Sequence, residues 1–183
     1  MKIMSGFFAL MISSTLIGDF SSAQAAEVCY VPVRGTAMTV CTPEIDADGN
    51  LLHPCPEMLG QYRLVLRTTT ADPVRQRLRI SGPLHGVVNP DQTLNHVLGD
   101  NQANGLLYSF GDSLVDSKPL NECQLEVTEE LYIKFGTGMY SGAHGTITIS
   151  GELNICTGVN EFEMVRTGDK LCFDESLLGQ GTN

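Results

Sequence analysis

Glu129 stands where a carboxylate is costly. In the run Leu125, Val127, Glu129, Leu131, Ile133, Phe135 it shares a period-two face with five apolar residues, and a strand that alternates in this way turns that face to a core. Desolvating the ionised group is expensive, so it must be paired or protonated. Phe162, Met164 and Arg166 repeat the anomaly with the opposite charge. One strand separates the two segments in chain order, so Glu129 and Arg166 are the expected catalytic candidates. An acid and a cation facing one lumen would orient the polar end of an apolar ligand, or serve as acid and electrostatic stabiliser in an isomerisation. The structural explanation set against this is a salt bridge at one end of the fold, or a bulge that turns Glu129 outward. Tyr108 and Tyr140 join Glu129 and Arg166 as the expected ligand-binding set, although a strand ring such as Tyr108 or Tyr132 equally suits packing.

Other chemistries lack their signatures. His53, His85, His96 and His144 show no H-x-H or H-E-x-x-H spacing, so neither a metal nor another cofactor is expected, and His144 is singled out only for its place beside a glycine-rich corner. Asp46 to Glu57 echoes a calcium loop, but Leu51 stands where the turn glycine belongs, and Pro54 and Pro56 stiffen the second half, so a turn inside a loop is the simpler reading. No G-x-S-x-G elbow, P-loop or dinucleotide fingerprint occurs, which leaves the common nucleophile and nucleotide enzymes without a foothold.

Positioning these residues falls to strands. Leu64 and Leu66 alternate with Arg63 and Arg67, and Leu78 and Ile80 with Arg77 and Arg79, which predicts half-buried antiparallel strands. Further strands are expected over 105–111, 125–135, 145–156 and 161–167, with a short one at 170–174. Residues 92–98 read as a short strand or helical turn, and 112–122, holding Pro119, as a loop. Between the strands around 130 and 150 lie Gly136, Gly138, Gly142 and Gly145, a density that marks positive φ or close backbone approach. Tyr140, the one ring inside that corner, is placed to fold over a mouth or plug a bottom.

Residues 1–25 carry Lys2, an apolar run from Phe7 to Ile17 and a small-x-small end, the pattern of a secretory signal peptide. The remainder, 26–183, is one domain by length, soluble and secreted or periplasmic, with no membrane insertion. All six cysteines, at 29, 41, 55, 123, 156 and 172, fall in it, and an even count in an exported chain favours a disulfide framework. Strands folded about Met139 would oppose residues whose numbers sum to about 279, which pairs Cys123 with Cys156. Cys41 and Cys55 bracket a turn-rich loop, leaving Cys29 for Cys172. A formal charge of −10 argues against nucleic acid or anionic lipid as partner.

The segment from Gln124, QLEVTEELYIKFGTGMYSGAHGTITISGEL, resembles the allene oxide cyclase barrel-like group, which includes dirigent-like proteins; Leu107 to Asp112 is similar to a strand preceding that hairpin. The resemblance spans Gly105 to Gly168 and implies an all-β, closed antiparallel barrel of about eight strands, calycin-like, here stapled by disulfides. It also implies a homo-oligomer. Val28 to Arg34 holds neither the glutamate nor the asparagine of the cyclases' early strand, so Glu129, Arg166 and Tyr140 are candidates by phase and position alone.

The leading expectation is a secreted barrel that binds an apolar small molecule in its lumen. The alternatives are an isomerase, cyclase or dirigent-like coupling guide acting by confinement, and a barrel packed solid that serves a structural or interaction role.

Overall fold

The computed structural model describes residues 27–41, 44–48, 51–53, 55–69, 77–102 and 105–174. The expected signal peptide, the turn at 71–73 and part of the 46–57 loop lie outside them. The described residues form β1 (Glu27–Cys41), β2 (Glu44–Ile45), β3 (Leu51–His53), β4 (Glu57–Thr68), β5 (Arg77–Val88), β6 (Leu94–Gly99), β7 (Leu106–Pro119), β8 (Gln124–Gly136), β9 (His144–Asn154), β10 (Val159–Met164) and β11 (Leu171–Asp174).

Antiparallel pairing runs from β4 through β5, β6, β7 and β8 to β9, and β1 closes the circuit by pairing with β4. The remaining place is shared. β1 is 15 residues long, enough for two partners on its other edge: β11 takes Glu27 to Tyr30 and β10 takes Thr36 to Val40. Both also pair with β9, so nine strands make an eight-stave closed barrel, and closure removes the exposed edges that invite aggregation. β2 and β3 form a separate small hairpin.

Alternation fills the interior. Leu64, Leu66, Ile80, Leu84, Leu98, Leu107, Leu131, Ile133 and Ile147 point inward from successive staves and form one core. Tyr140, on a single 3-10 turn between β8 and β9, is fully buried and plugs the end of the barrel, its ring 5.5 Å from that of Phe173. Gly105 makes room for it, since a Cβ there would lie 2.6 Å from the Tyr140 ring. At the opposite end Cys41, Met58 and Leu94 form a smaller cluster.

The cysteines pair as Cys29 with Cys172, Cys41 with Cys55 and Cys123 with Cys156. The first bridges β1 and β11 at a register pair, the second closes the loop around β2 and β3, and the third ties the far ends of the β8–β9 hairpin.

One local expectation is corrected and one open alternative is resolved in favour of the strand. Residues 112–122 are not a loop, because β7 continues to Pro119 and pairs with β8 through three register shifts; the exposed, polar far half of this hairpin mimics loop composition. Residues 94–99 are strand throughout.

Candidate functional site: a sealed acid cluster and an arginine groove

Glu129 points inward as its phase requires and is 2% exposed. Its neighbours are His96 on β6 and Asp112 on β7, 4% and 0% exposed. His96 Nδ1 lies 2.8 Å from Asp112 Oδ2 and 3.6 Å from Glu129 Oε1. The Ser109 hydroxyl donates to the same Asp112 oxygen, while the backbone N–H of Tyr132 donates to Asp112 Oδ1 at 2.7 Å. Ser109 Oγ also accepts the N–H of His96 at 3.0 Å.

The backbone explains this arrangement. Gly111 adopts φ +67°, a conformation that favours glycine, and register shifts in β7 between Ser109 and Ser113 mark the bulge around it. The bulge brings Ser109 and Asp112, three apart, onto the same inner face, and Asp112 replaces a ladder carbonyl for Tyr132. Opposite His96, Gly86 supplies space: a Cβ there would lie 2.8 Å from the imidazole Cδ2.

Electrostatics follow from burial. Desolvation drives the Glu129 carboxyl up to about 7 against a smaller lowering by His96, with Asp112 adding to the rise. Burial acts to lower the His96 imidazole, but its hydrogen bond to Asp112 and the charges of Glu129 and Asp112 outweigh it, and His96 is raised. Glu129 Oε1 has no hydrogen-bond partner, as a carboxyl that holds its proton near neutrality tolerates better than an ion would. A histidine and two carboxylates lie close enough to ligate a cation, yet neither groove on the wall, nor the lumen void, nor the recess around Leu59 and His85 is lined by any of the three. As placed, the cluster is sealed from substrate.

Arg166 is elsewhere. It is exposed after β10, and its Nε donates to the carbonyl of Val33 at 3.0 Å, beside the irregularity in β1 between Pro32 and Arg34. The expected Glu129–Arg166 pair is therefore not assembled. Tyr108 is also outside the lumen: Leu107 and Ser109 face in, while Tyr108 stacks on Phe135 at 4.4 Å and neighbours Phe110. Phe135 leaves the apolar phase because β8 slips one residue between the partners of Tyr108 and Ser109. Tyr140 is buried, its hydroxyl donating to Asp100, and burial followed by that bond raises its pKa. Tyr62 is buried nearby, and desolvation followed by the Asp100 charge raises its pKa, so Tyr62, Asp100 and Tyr140 form a second polar grouping that includes neither Arg166 nor Tyr108.

Outside, Arg166 borders a groove of about 730 Å³ on the wall of β1, β4 and β5, together with Arg34, Arg63, Arg67, Arg77 and Arg79. The chain has seven arginines, and the seventh, Arg75, lies outside the described residues. Register explains the convergence. Outward-facing Val65 of β4 is opposed by Arg34 of β1 on one side and Arg79 of β5 on the other, while Arg67 faces Arg77 directly. Among the described residues no aspartate, glutamate or aromatic residue lines the groove, and none of these arginines forms an ion pair.

Comparison with family models, curated proteins and solved structures finds no match to this chain.

Proposed function

We propose that this protein is a binding barrel of an oxidising compartment whose working surface is the outer arginine groove, and that its ligand is anionic. The observation that carries this reading is the concentration of six of seven arginines in one groove that no carboxylate of the described residues lines, in a chain with net charge −10. Charges placed at random on an acidic protein find acidic partners; six guanidiniums with no ion pair among the described residues form a site of strong positive potential, although Arg63 also borders the adjoining groove that carries Glu161 and Glu163. Guanidinium forks match carboxylate, sulfate and phosphate oxygens. Three cysteine pairs suit export, in line with the signal-peptide pattern at the start of the chain. Among the described residues no helix is long and apolar enough to cross a membrane.

Lumen functions receive less support. The void between Tyr62, Leu84, Leu98 and Leu131 is about 40 Å³, little more than the ~30 Å³ share of one water and far below the roughly 300 Å³ at which small-molecule sites begin. An apolar ligand would have to part the staves, and confinement catalysis would need a route to Glu129. The resemblance to the allene oxide cyclase barrel-like group then extends to architecture alone.

Chromatography tests the proposal directly. An acidic protein ordinarily passes through a sulfonate cation exchanger at neutral pH; this one is expected to be retained at low salt and released as salt rises, and Arg67→Glu to abolish retention. Flow-through of the parent protein would sink the reading. Native mass spectrometry after exposure to a lipophilic extract examines the lumen in parallel, and a retained apolar acid lost in Glu129→Gln would restore the interior ligand.

A further inference from the structure

We infer that the groove's ligand is a compact polyvalent oxyanion, with three or more phosphate or sulfate groups on one small scaffold. This rests on the anion-binding reading above and narrows it.

The spacing of the arginines sets the valence. Around Val65, Arg34 and Arg79 stand one strand away on either side, and Arg63 and Arg67 stand two residues away along β4. With strands ~4.8 Å apart and ~3.3 Å rise per residue, these four Cα positions span about 10 Å across and about 13 Å along the wall. Arg77, opposite Arg67, extends the array, and Arg166 borders its β1 side through Val33. One tetrahedral oxyanion has edges for about two guanidinium forks. A single phosphate would leave most of the array unmatched. Several such groups within a span of ~13 Å would meet it fully.

Like charges directly across a strand pair destabilise a sheet, and Arg67 and Arg77 are such a pair, with no acidic residue among the described lining residues to offset them. An oxyanion bridging them removes that cost. The residue type is selective too: among the described residues no lysine lines the groove, and arginine differs from lysine in its planar, bidentate recognition of oxyanions.

Two features limit the scaffold. Without a ring in the lining, bases have nothing to stack on, so single-stranded nucleic acid is disfavoured. Outside the groove, five lysines and arginines remain against 21 aspartates and glutamates, and the adjoining groove carries Glu152, Glu161 and Glu163. A long polyanion would run from the arginines onto repulsive wall, whereas one contained within about 730 Å³ would not.

The test is calorimetric titration of the full, oxidised protein at about 150 mM salt with inorganic phosphate, tripolyphosphate, an octasulfated disaccharide and a short single-stranded oligonucleotide. Tripolyphosphate or the sulfated disaccharide is expected to bind one per chain, about 100-fold or more tighter than inorganic phosphate, as two further charge-assisted contacts imply, and which of the two is preferred distinguishes a phosphorylated from a sulfated source. Arg67→Ala with Arg79→Ala should weaken that binding about 100-fold while the unliganded melting temperature holds, and Lys118→Ala should leave it unchanged. Equal affinity for inorganic phosphate and tripolyphosphate overturns the polyvalent ligand but spares anion binding. Absence of all binding removes both. Tighter binding of the oligonucleotide, or a salt-sensitive dimer in sedimentation that the arginine substitutions abolish, would give the groove a different occupant and overturn the inference.

Discussion

The barrel holds two unusual collections of charge, and it treats them in opposite ways. Inside, Asp112, His96 and Glu129 are nearly devoid of solvent; hydrogen bonds from β6, β7 and β8 converge on Asp112, and Glu129 lies 3.6 Å from His96. Outside, six arginines share one groove that no carboxylate of the described residues lines. The bonds at Asp112 are made within the fold, so their energetic value is spent on holding β6, β7 and β8 in register across a bulge. The outer set is left incomplete by the protein, and what completes it must come from elsewhere. Polar groups that satisfy each other serve the fold; polar groups that repel each other at an open surface mark a place for a ligand.

If the inner set is structural, its disruption should cost the most. Asp112→Ala removes the partner of His96 Nδ1, of the Ser109 hydroxyl and of the Tyr132 N–H together. Deleting one side of a buried charged network costs about 3–5 kcal/mol, readable as a lowered urea midpoint. A midpoint within about 0.5 kcal/mol of the parent, the range of ordinary surface substitutions, would break the contrast.

The next effect depends on pH. The Glu129 carboxyl is raised from 4.5 to about 7 in the folded protein, so between those values the folded chain keeps a proton that the unfolded chain gives up. Stability is fully present below about 4.5 and declines as pH rises through about 7, by roughly 3 kcal/mol in all. His96, also raised, adds loss in the same alkaline direction. Melting temperatures should therefore fall from pH 5 to pH 8, and fall less in Glu129→Gln, which keeps the shape and stays neutral. An equal slope in both proteins would show that Glu129 is not the group responsible.

The plug at the other end should matter less. Tyr140→Phe keeps the ring against Phe173 but strips Asp100 of its donor, a loss of about 1–2 kcal/mol. If thermal denaturation shows no change, packing of the ring alone holds that end.

These two regions were unequally legible. Glu129 declared itself because one carboxylate interrupted an apolar alternation. His96 had the same signal, since Leu94, His96 and Leu98 alternate inward on β6, but a six-residue strand offers few repeats from which to read a phase. Asp112 was hidden by the Gly111 bulge, which makes Phe110, Gly111 and Asp112 look like a turn. A slip in β8 likewise removed Phe135 from the lumen, because one extra residue flips every later side chain, while Tyr108 faces out by its alternation between inward Leu107 and Ser109. Arg63, Arg67, Arg77 and Arg79 were readable as the outer face of two strands. Their union with Arg34 and Arg166 depended on β1 closing the barrel against β4, and pairings between distant segments are invisible to a local period. The cysteine pairs were legible for the converse reason: hairpin symmetry and elimination need no side-chain detail.

The smallest stability effect sharpens the comparison most. Arg77→Gln relieves the direct opposition with Arg67 and, on an exposed strand position with no ion pair among the described residues, should leave the protein unchanged or more stable by about 0.2–1 kcal/mol. The same substitution should weaken the retained oxyanion about tenfold, the equivalent of one charge-assisted contact. Stability and affinity then move in opposite directions, the signature of a group kept for a ligand at some cost to the fold. Were Arg77→Gln to destabilise the barrel and leave anion binding untouched, the arginines would belong with Asp112 and His96 as parts of the architecture, and the division between a sealed interior and a receptive wall would fail.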